Sequence, residues 1–205
     1  YIGEAYELNS KTFLYTDEYT QHENIATVVY KDINNKVIAK KTIEFNENYS
    51  APSFKIENLI TGVKASVSVN KTINISYKSG LNKPTKTAQK TLTNQTVIDA
   101  GFHYYILENW GFIINEQSLY MDYVSPSKQL IIPLDIKLDK YEVWNKKDTV
   151  IITISPKSFF FKLFVDPIIL RYDRQTKQLL SYKGISNIKL PSGKKQIYME
   201  IKYLD

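Results

Sequence analysis

Asp99 and His103 stand four residues apart in the stretch TVIDAGFHYYILENWGFIIN, a spacing that puts both side chains on one face of a helix. An aspartate beside an imidazole favours the charged ring, and such a pair can work as acid and base. The plainer reading is a pair that only satisfies its own hydrogen bonds, since no nucleophile is identifiable beside it. His22, near Asp17, Glu18 and Glu23, could join those carboxylates around a divalent cation. A strand end facing solvent explains it more simply, and no metal is expected. Asp135 with Asp139, or Asp166 with Asp173, supply the residue types of a glycosidase pair, but sequence does not set their separation. Asp166 ahead of Pro167 reads first as a turn residue accepting main-chain bonds. Cysteine is absent, which removes thiol nucleophiles, disulfides and thiolate metal sites. GxGxxG, GxxxxGK[ST], GxSxG and HExxH are absent too, so nucleotide-binding, α/β-hydrolase and zincin chemistries lack their parts and no cofactor is expected.

Aromatic residues are the stronger lead. Phe102, Tyr105 and Trp110 fall at helical spacing, and Phe159, Phe160, Phe161 and Phe164 crowd a second short segment. Three consecutive phenylalanines cannot share one helix face, so at least one is exposed, lines a pocket or meets a second layer. A two-layer core accounts for this most simply. The alternatives are an apolar cavity for a lipid or acyl ligand, or a protein or membrane-surface contact. Phe102, Tyr105, Trp110, Phe160 and Phe164 are the ligand-binding candidates.

The elements that must position these residues are mostly strands. Residues 3–8 and 13–19, 27–30 and 37–45, and 168–172 and 178–182 read as three hairpins around turns containing Asn or Asp, residues that tolerate left-handed backbone. Ala65 to Val69, Ile73 to Tyr77, Leu119 to Val124, Gln129 to Leu138, Thr149 to Ile154 and Gln196 to Leu204 add further strands, most with alternating apolar residues. The polar stretch from Gly80 to Thr96, with Pro84, reads as a mobile surface segment. Thr96 is the expected N-cap of one long helix, and Ser155-Pro156 the start of a short one running to Val165. The expected fold class is therefore α+β: one domain over 1–205, a curved, mainly antiparallel sheet of about ten to twelve strands, with one long and one short helix packed on one face.

Charge narrows the partners. The 205 residues carry a formal net charge of +6, but 25 of the 27 basic residues are lysine, spread without a run of five. Nucleic-acid recognition leans on arginine's planar fork, so no nucleic acid is expected, and the lysines read as a solvated surface. A peripheral contact with an anionic lipid surface is the minor alternative. No run of eighteen apolar residues is long enough for a membrane-spanning helix.

The segments Gly3-Glu4-Ala5-Tyr6-Glu7-Leu8, Ala51-Pro52-Ser53-Phe54, Asp99-Ala100-Gly101-Phe102 with Trp110, Val165-Asp166-Pro167-Ile168 and Gly184-Ile185-Ser186-Asn187-Ile188 together resemble a family of uncharacterised proteobacterial proteins. The resemblance implies a bacterial origin and a periplasmic or envelope location, with any leader missing from this sequence, and brings no catalytic role. The hairpin-rich pattern with a covering helix is similar to the half-barrels of bacterial lipoprotein carriers, an analogy of fold. The function expected is a non-enzymatic envelope protein that binds a lipid, another apolar ligand or an envelope partner between sheet and helices. The alternatives are a structural or assembly factor working through protein contacts, and an enzyme using Asp99 and His103.

Overall fold

The computed structural model describes residues 1–158, 166–190 and 197–204. The chain first lays down β1 (Ile2–Glu7), β2 (Phe13–His22), β3 (Ile25–Lys31), β4 (Val37–Glu44) and β5 (Ser53–Asn58). β6 (Val63–Val69), β7 (Thr72–Ser79), β8 (Thr85–Thr91) and the two-residue β9 (Thr96–Val97) follow, then helices α1 (Gly101–Glu108) and α2 (Trp110–Ile114). β10 (Leu119–Ser125), β11 (Leu130–Trp144), β12 (Lys147–Pro156), β13 (Ile168–Asp173), β14 (Leu179–Ile185) and β15 (Tyr198–Leu204) complete it. All fifteen strands form one sheet, running from β8 back to β1, across to β15, and back to β9. The pairing of β1 with β15 joins the two meanders, and every pair is antiparallel except β9 with β10.

With 59% of the described residues in strands and 7% in helix, the α+β class and the count of ten to twelve strands are corrected, among those residues, to one fifteen-stranded sheet with two short helices. Propensity explains the strands that were missed. β8 reads Thr-Lys-Thr-Ala-Gln-Lys-Thr and has no apolar face, yet it pairs with β7 along its whole length, so the segment expected to be mobile is a sheet edge. An edge strand needs no second buried face, and its lysines discourage further strand addition. The expected long helix is two short ones. Thr96 belongs to β9, Ala100 caps α1 without a side-chain bond, and Asn109, with φ −102° and ψ 16°, separates α1 from α2. The expected short helix also fails at its start, because Ser155 and Pro156 end β12, paired with Asp135 and Leu134. Residues 159–165 of that segment, including Phe160 and Phe164, lie outside the described residues.

The three expected hairpins form as β1–β2, β3–β4 and β13–β14. Their left-handed residues are Lys11, Asn35 and Lys177, so lysine takes the position twice where Asn or Asp was expected. Each hairpin also carries a bulge near its turn, at Ala5/Tyr6, Tyr30/Lys31 and Arg171/Tyr172, and bulges sharpen the twist of a strand. In β3 and β4 the buried positions alternate as Ala26, Val28, Tyr30 and Ala39, Lys41, Ile43. Residues on this face, from Ile73 on β7 through Ala5 on β1 to Ile136 on β11, belong to one contiguous core. One face of a sheet builds a single core only when the sheet curls around it. Small residues on that face, Ala5, Ala26, Ala39 and Ala65, leave room inside the curl.

Candidate functional site

Within the curl lies a cavity of about 730 Å³, inside the range of small-molecule sites. Its wall is built by strand register. Tyr203, Gly3, Asp17, Tyr30 and Ala39 are successive cross-strand partners on β15, β1, β2, β3 and β4, so their side-chain positions share one face. Two residues along β4, on the same face, stands Lys41, in the apolar alternation Ala39, Lys41, Ile43. Its ammonium donates to both carboxylate oxygens of Asp99, at 2.8 and 2.9 Å. Lys41 is 8% exposed, which removes it from the solvated lysine surface assigned to its residue type.

Asp99 reaches Lys41 because it stands before α1 in left-handed backbone, φ 47°, and not within the helix. The approach of that segment is fixed at Gly101. A Cβ there would fall 2.1 Å from the Ser50 carbonyl oxygen and 2.8 Å from Pro52. Ile98 N–H also donates to the Ser50 carbonyl at 3.0 Å. Two segments far apart in sequence, around Ser50-Ala51-Pro52 and Ile98-Gly101, are thus locked together, and α1 follows from that contact.

Asp17 is the least satisfied group of the wall. It is 5% exposed, and its Oδ1 has no hydrogen-bond partner. The carboxylate leans over Gly3, where a Cβ would come within 2.0 Å of Oδ1. Burial lifts its carboxyl to about 6, against the opposing pull of the Lys41 ammonium and of nearby main-chain amides. Three phenols surround it. Tyr30 and Tyr203 are held well above the usual tyrosine range, first by burial and then by charges that include that of Asp17, while Tyr1, 60% exposed, stands at the rim.

His103 also faces the cavity but makes no pair with Asp99. Its ring lies parallel to Tyr172, centroids 5.7 Å apart, and Nδ1 is 3.1 Å from the Tyr172 hydroxyl. Burial lowers the imidazole to about 4, so it is neutral at physiological pH. The expected charged imidazole beside an aspartate is corrected on both counts: the aspartate is bound to Lys41, and the ring sits against a neutral phenol.

Of the aromatic candidates, Phe102 lines the cavity. Tyr105 does not; it is buried, and its hydroxyl donates to the Tyr120 carbonyl at 2.8 Å. Trp110 is buried edge-on against Tyr172, with Lys177 over its ring, and belongs to the packing beneath. Of the other candidate carboxylates, Asp166 lines the cavity wall and Asp173 serves a turn. Asp173 accepts from the amides of Gln175 and Thr176, and Glu18 pairs with Lys31. Among the described residues, no group of three or more His, Asp or Glu could hold a metal ion, and no helix is long and apolar enough to cross a membrane.

Sequence reasoning missed Lys41, Tyr30 and Tyr203, and placed Asp17 only beside His22 as a possible cation ligand. The signal for Asp17 and Lys41 was legible. Asp17 interrupts Tyr15 and Tyr19 at a spacing of two, and Lys41 interrupts Ala39 and Ile43 in the same way, each a charge on a face otherwise turned inward.

These features define a curled, antiparallel β protein with a lined interior and two short helices. Its fold is similar to that of a beta-barrel-like protein of a domain of unknown function, DUF1849, from Brucella abortus. The two superpose with a TM-score of 0.60 over 98% of this chain and 93% of that one, at 8% sequence identity. At that identity the likeness concerns the fold alone. No family model and no curated protein matches the chain. The uncharacterised proteobacterial resemblance is consistent with this neighbour, whose own role is unknown.

Proposed function

We propose that this chain is a non-enzymatic binding protein that takes a lipid or another largely apolar small molecule into the interior of its curled sheet. The observation that carries the reading is the cavity of about 730 Å³, whose wall includes Val28, Ile43, Met121, Leu134 and Ile154. Apolar lining with a few fixed polar groups is the usual make-up of a ligand site. The two acid-base candidates are engaged separately, Asp99 with Lys41 and His103 with Tyr172, which favours binding over proton transfer. An envelope location rests on the sequence resemblance and is tested by fractionating the source cells.

Titration with N-phenyl-1-naphthylamine, a neutral apolar fluorophore, tests the cavity. The expected result is saturable binding at one site per chain, weakened at least tenfold by Val28→Trp, which fills the interior while the fold is checked by circular dichroism. Fluorescence that rises without saturation, or a folded Val28→Trp protein that binds unchanged, overturns the reading. Native mass spectrometry of the protein from its own host would then identify the ligand as added mass.

A further inference from the structure

We propose that the cavity selects an amphipathic molecule with an ammonium head, seated against the Asp17 carboxylate between Tyr1, Tyr30 and Tyr203, and with its apolar tail along Val28, Ile43 and Met121. The inference rests on the binding function above and adds the sign of the ligand's charge.

Three observations lead to it. The first is the stoichiometry of buried charge. Asp17 and Asp99 share the single ammonium of Lys41, and Asp99 holds that ammonium with both oxygens at 2.8 and 2.9 Å. The cluster keeps one negative charge in excess, on the side chain whose Oδ1 has no partner. Lys128 and Asp166, the other charged side chains of the wall among those described, offset each other, and the ammonium of Tyr1 is exposed and donates to the Tyr19 carbonyl. A chain of net charge +6 therefore encloses a site that leans negative.

The second is the price of the alternative. An anionic head would have to draw Lys41 away from Asp99 and would then face two buried carboxylates. Stripping one partner from a buried ion pair leaves an uncompensated charge, an unfavourable exchange in a poorly solvated interior. A cation meets no such obstacle, since Oδ1 of Asp17 has no partner to give up.

The third is the surround. Asp17 is paired across the strands with Tyr30 on one side and with Gly3 on the other, and Gly3 in turn with Tyr203. Tyr1 meets Tyr203 edge to face, with ring centroids 5.2 Å apart. Rings grouped around a carboxylate suit an ammonium, whose charge is attracted both to the anion and to aromatic faces. Gly3 completes the geometry. A side chain there would occupy the space into which Asp17 leans, as a Cβ 2.0 Å from Oδ1 shows.

Competition against bound N-phenyl-1-naphthylamine tests this with four ligands of one chain length, each below its micelle concentration: decylamine, decyltrimethylammonium, decanoate and decanol. The two ammonium compounds are expected to displace the fluorophore at concentrations at least tenfold below decanoate in the wild-type protein at pH 7.5. Asp17→Asn keeps the side-chain shape and removes the charge, so it should bring the ammonium and decanoate values within threefold while decanol stays unchanged. A primary amine stronger than the quaternary compound marks hydrogen bonding to Asp17 as the main attraction, and the reverse order marks the rings; either supports the site. Decanoate binding equal to or tighter than the ammonium compounds, or a preference that survives Asp17→Asn, overturns the inference while leaving the cavity reading intact. If the fluorophore itself finds no saturable site, the cavity reading fails and takes this one with it.

Discussion

On the side of the cavity built from β1 to β4, polar groups enter the interior as ions: Asp17 and Lys41 are nearly inaccessible, and Asp99 comes down from the helical segment to meet the lysine. On the β13 side, the polar groups stay neutral. His103 stacks on Tyr172 and shares a hydrogen bond with it, and Trp110 closes the back of the same ring. The neutral side is complete in itself, because each polar atom of the His103–Tyr172 contact finds its partner in the other ring. The ionic side is left one partner short, at Asp17. Burying an unmatched carboxylate costs stability, and a site that retains one has something to gain from a ligand. The difference locates the binding chemistry on the ionic side and gives the β13 side the part of a rigid support.

Breaking both sides together should have the largest effect. Gly101→Ala drives a Cβ into the Ser50 carbonyl, and the segment carrying Asp99 and His103 must move; a loss of about 3 kcal/mol or more is expected in urea unfolding. Lys41→Met attacks the ionic side alone. It leaves Asp17 and Asp99 without their shared cation, and a loss of about 3 kcal/mol is expected at pH 7.5, shrinking as the pH falls and Asp17 takes up its proton.

Acid titration separates the two sides by sign. Asp17 rises from 3.8 to about 6 on folding, so the folded state binds the proton more tightly than the unfolded chain. Its contribution is fully present below about pH 4 and is lost as the pH rises through 6, a change of about 3 kcal/mol. Burial raises the Asp17 carboxyl, and the Lys41 ammonium on β4 and the main-chain amides of Gly3 and Asp17 pull it down. His103 drops from 6.5 to about 4, so its contribution is present above 6.5 and is lost as the pH falls through 4. Partial exposure of the ring holds that change to roughly 2 kcal/mol. Between pH 4 and 6 the two slopes oppose each other. Relative to wild type, Asp17→Asn should gain stability at pH 7.5 and lose that gain by pH 4. His103→Asn should instead remove the acid-side loss. Denaturant midpoints measured every half pH unit check both, and parallel curves for the three proteins would contradict the contrast. The smallest effect is expected outside the cavity. Lys11 is exposed with φ 57°, so Lys11→Gly relieves left-handed strain and should raise stability by about 0.5 kcal/mol, with ligand competition unchanged.

Much of the strand pattern was legible, and the reasons are local. Ile73, Ile75 and Tyr77, or Val150, Ile152 and Ile154, alternate because a half-buried strand turns every second residue inward. The polar edge β8 carries no such pattern and was read as a surface segment, since only its hydrogen bonds to β7 make it a strand. The long helix was overread because Ile98, Phe102, Tyr105 and Ile106 share a helical period across a segment that begins as β9 and is interrupted at Asn109. Of the candidate site, Asp99, His103 and Phe102 are legible in the sequence, but their spacing pairs Asp99 with His103. A spacing of four implies contact only within one helix, and Asp99 lies ahead of it.

By itself, the sequence determined which residues alternate, where the three hairpins turn, and that two charges, Asp17 and Lys41, interrupt inward-facing runs. Tertiary structure alone decided that Asp99 meets Lys41 across 58 positions of chain, that Tyr203 and Asp17 flank one glycine, and that the strands curl around a cavity. The reason is physical. Periodicity is a property of neighbouring residues along one strand, whereas the partner of a buried charge is fixed by the register of strands far apart in sequence and by how closely a backbone such as Gly101 can approach another.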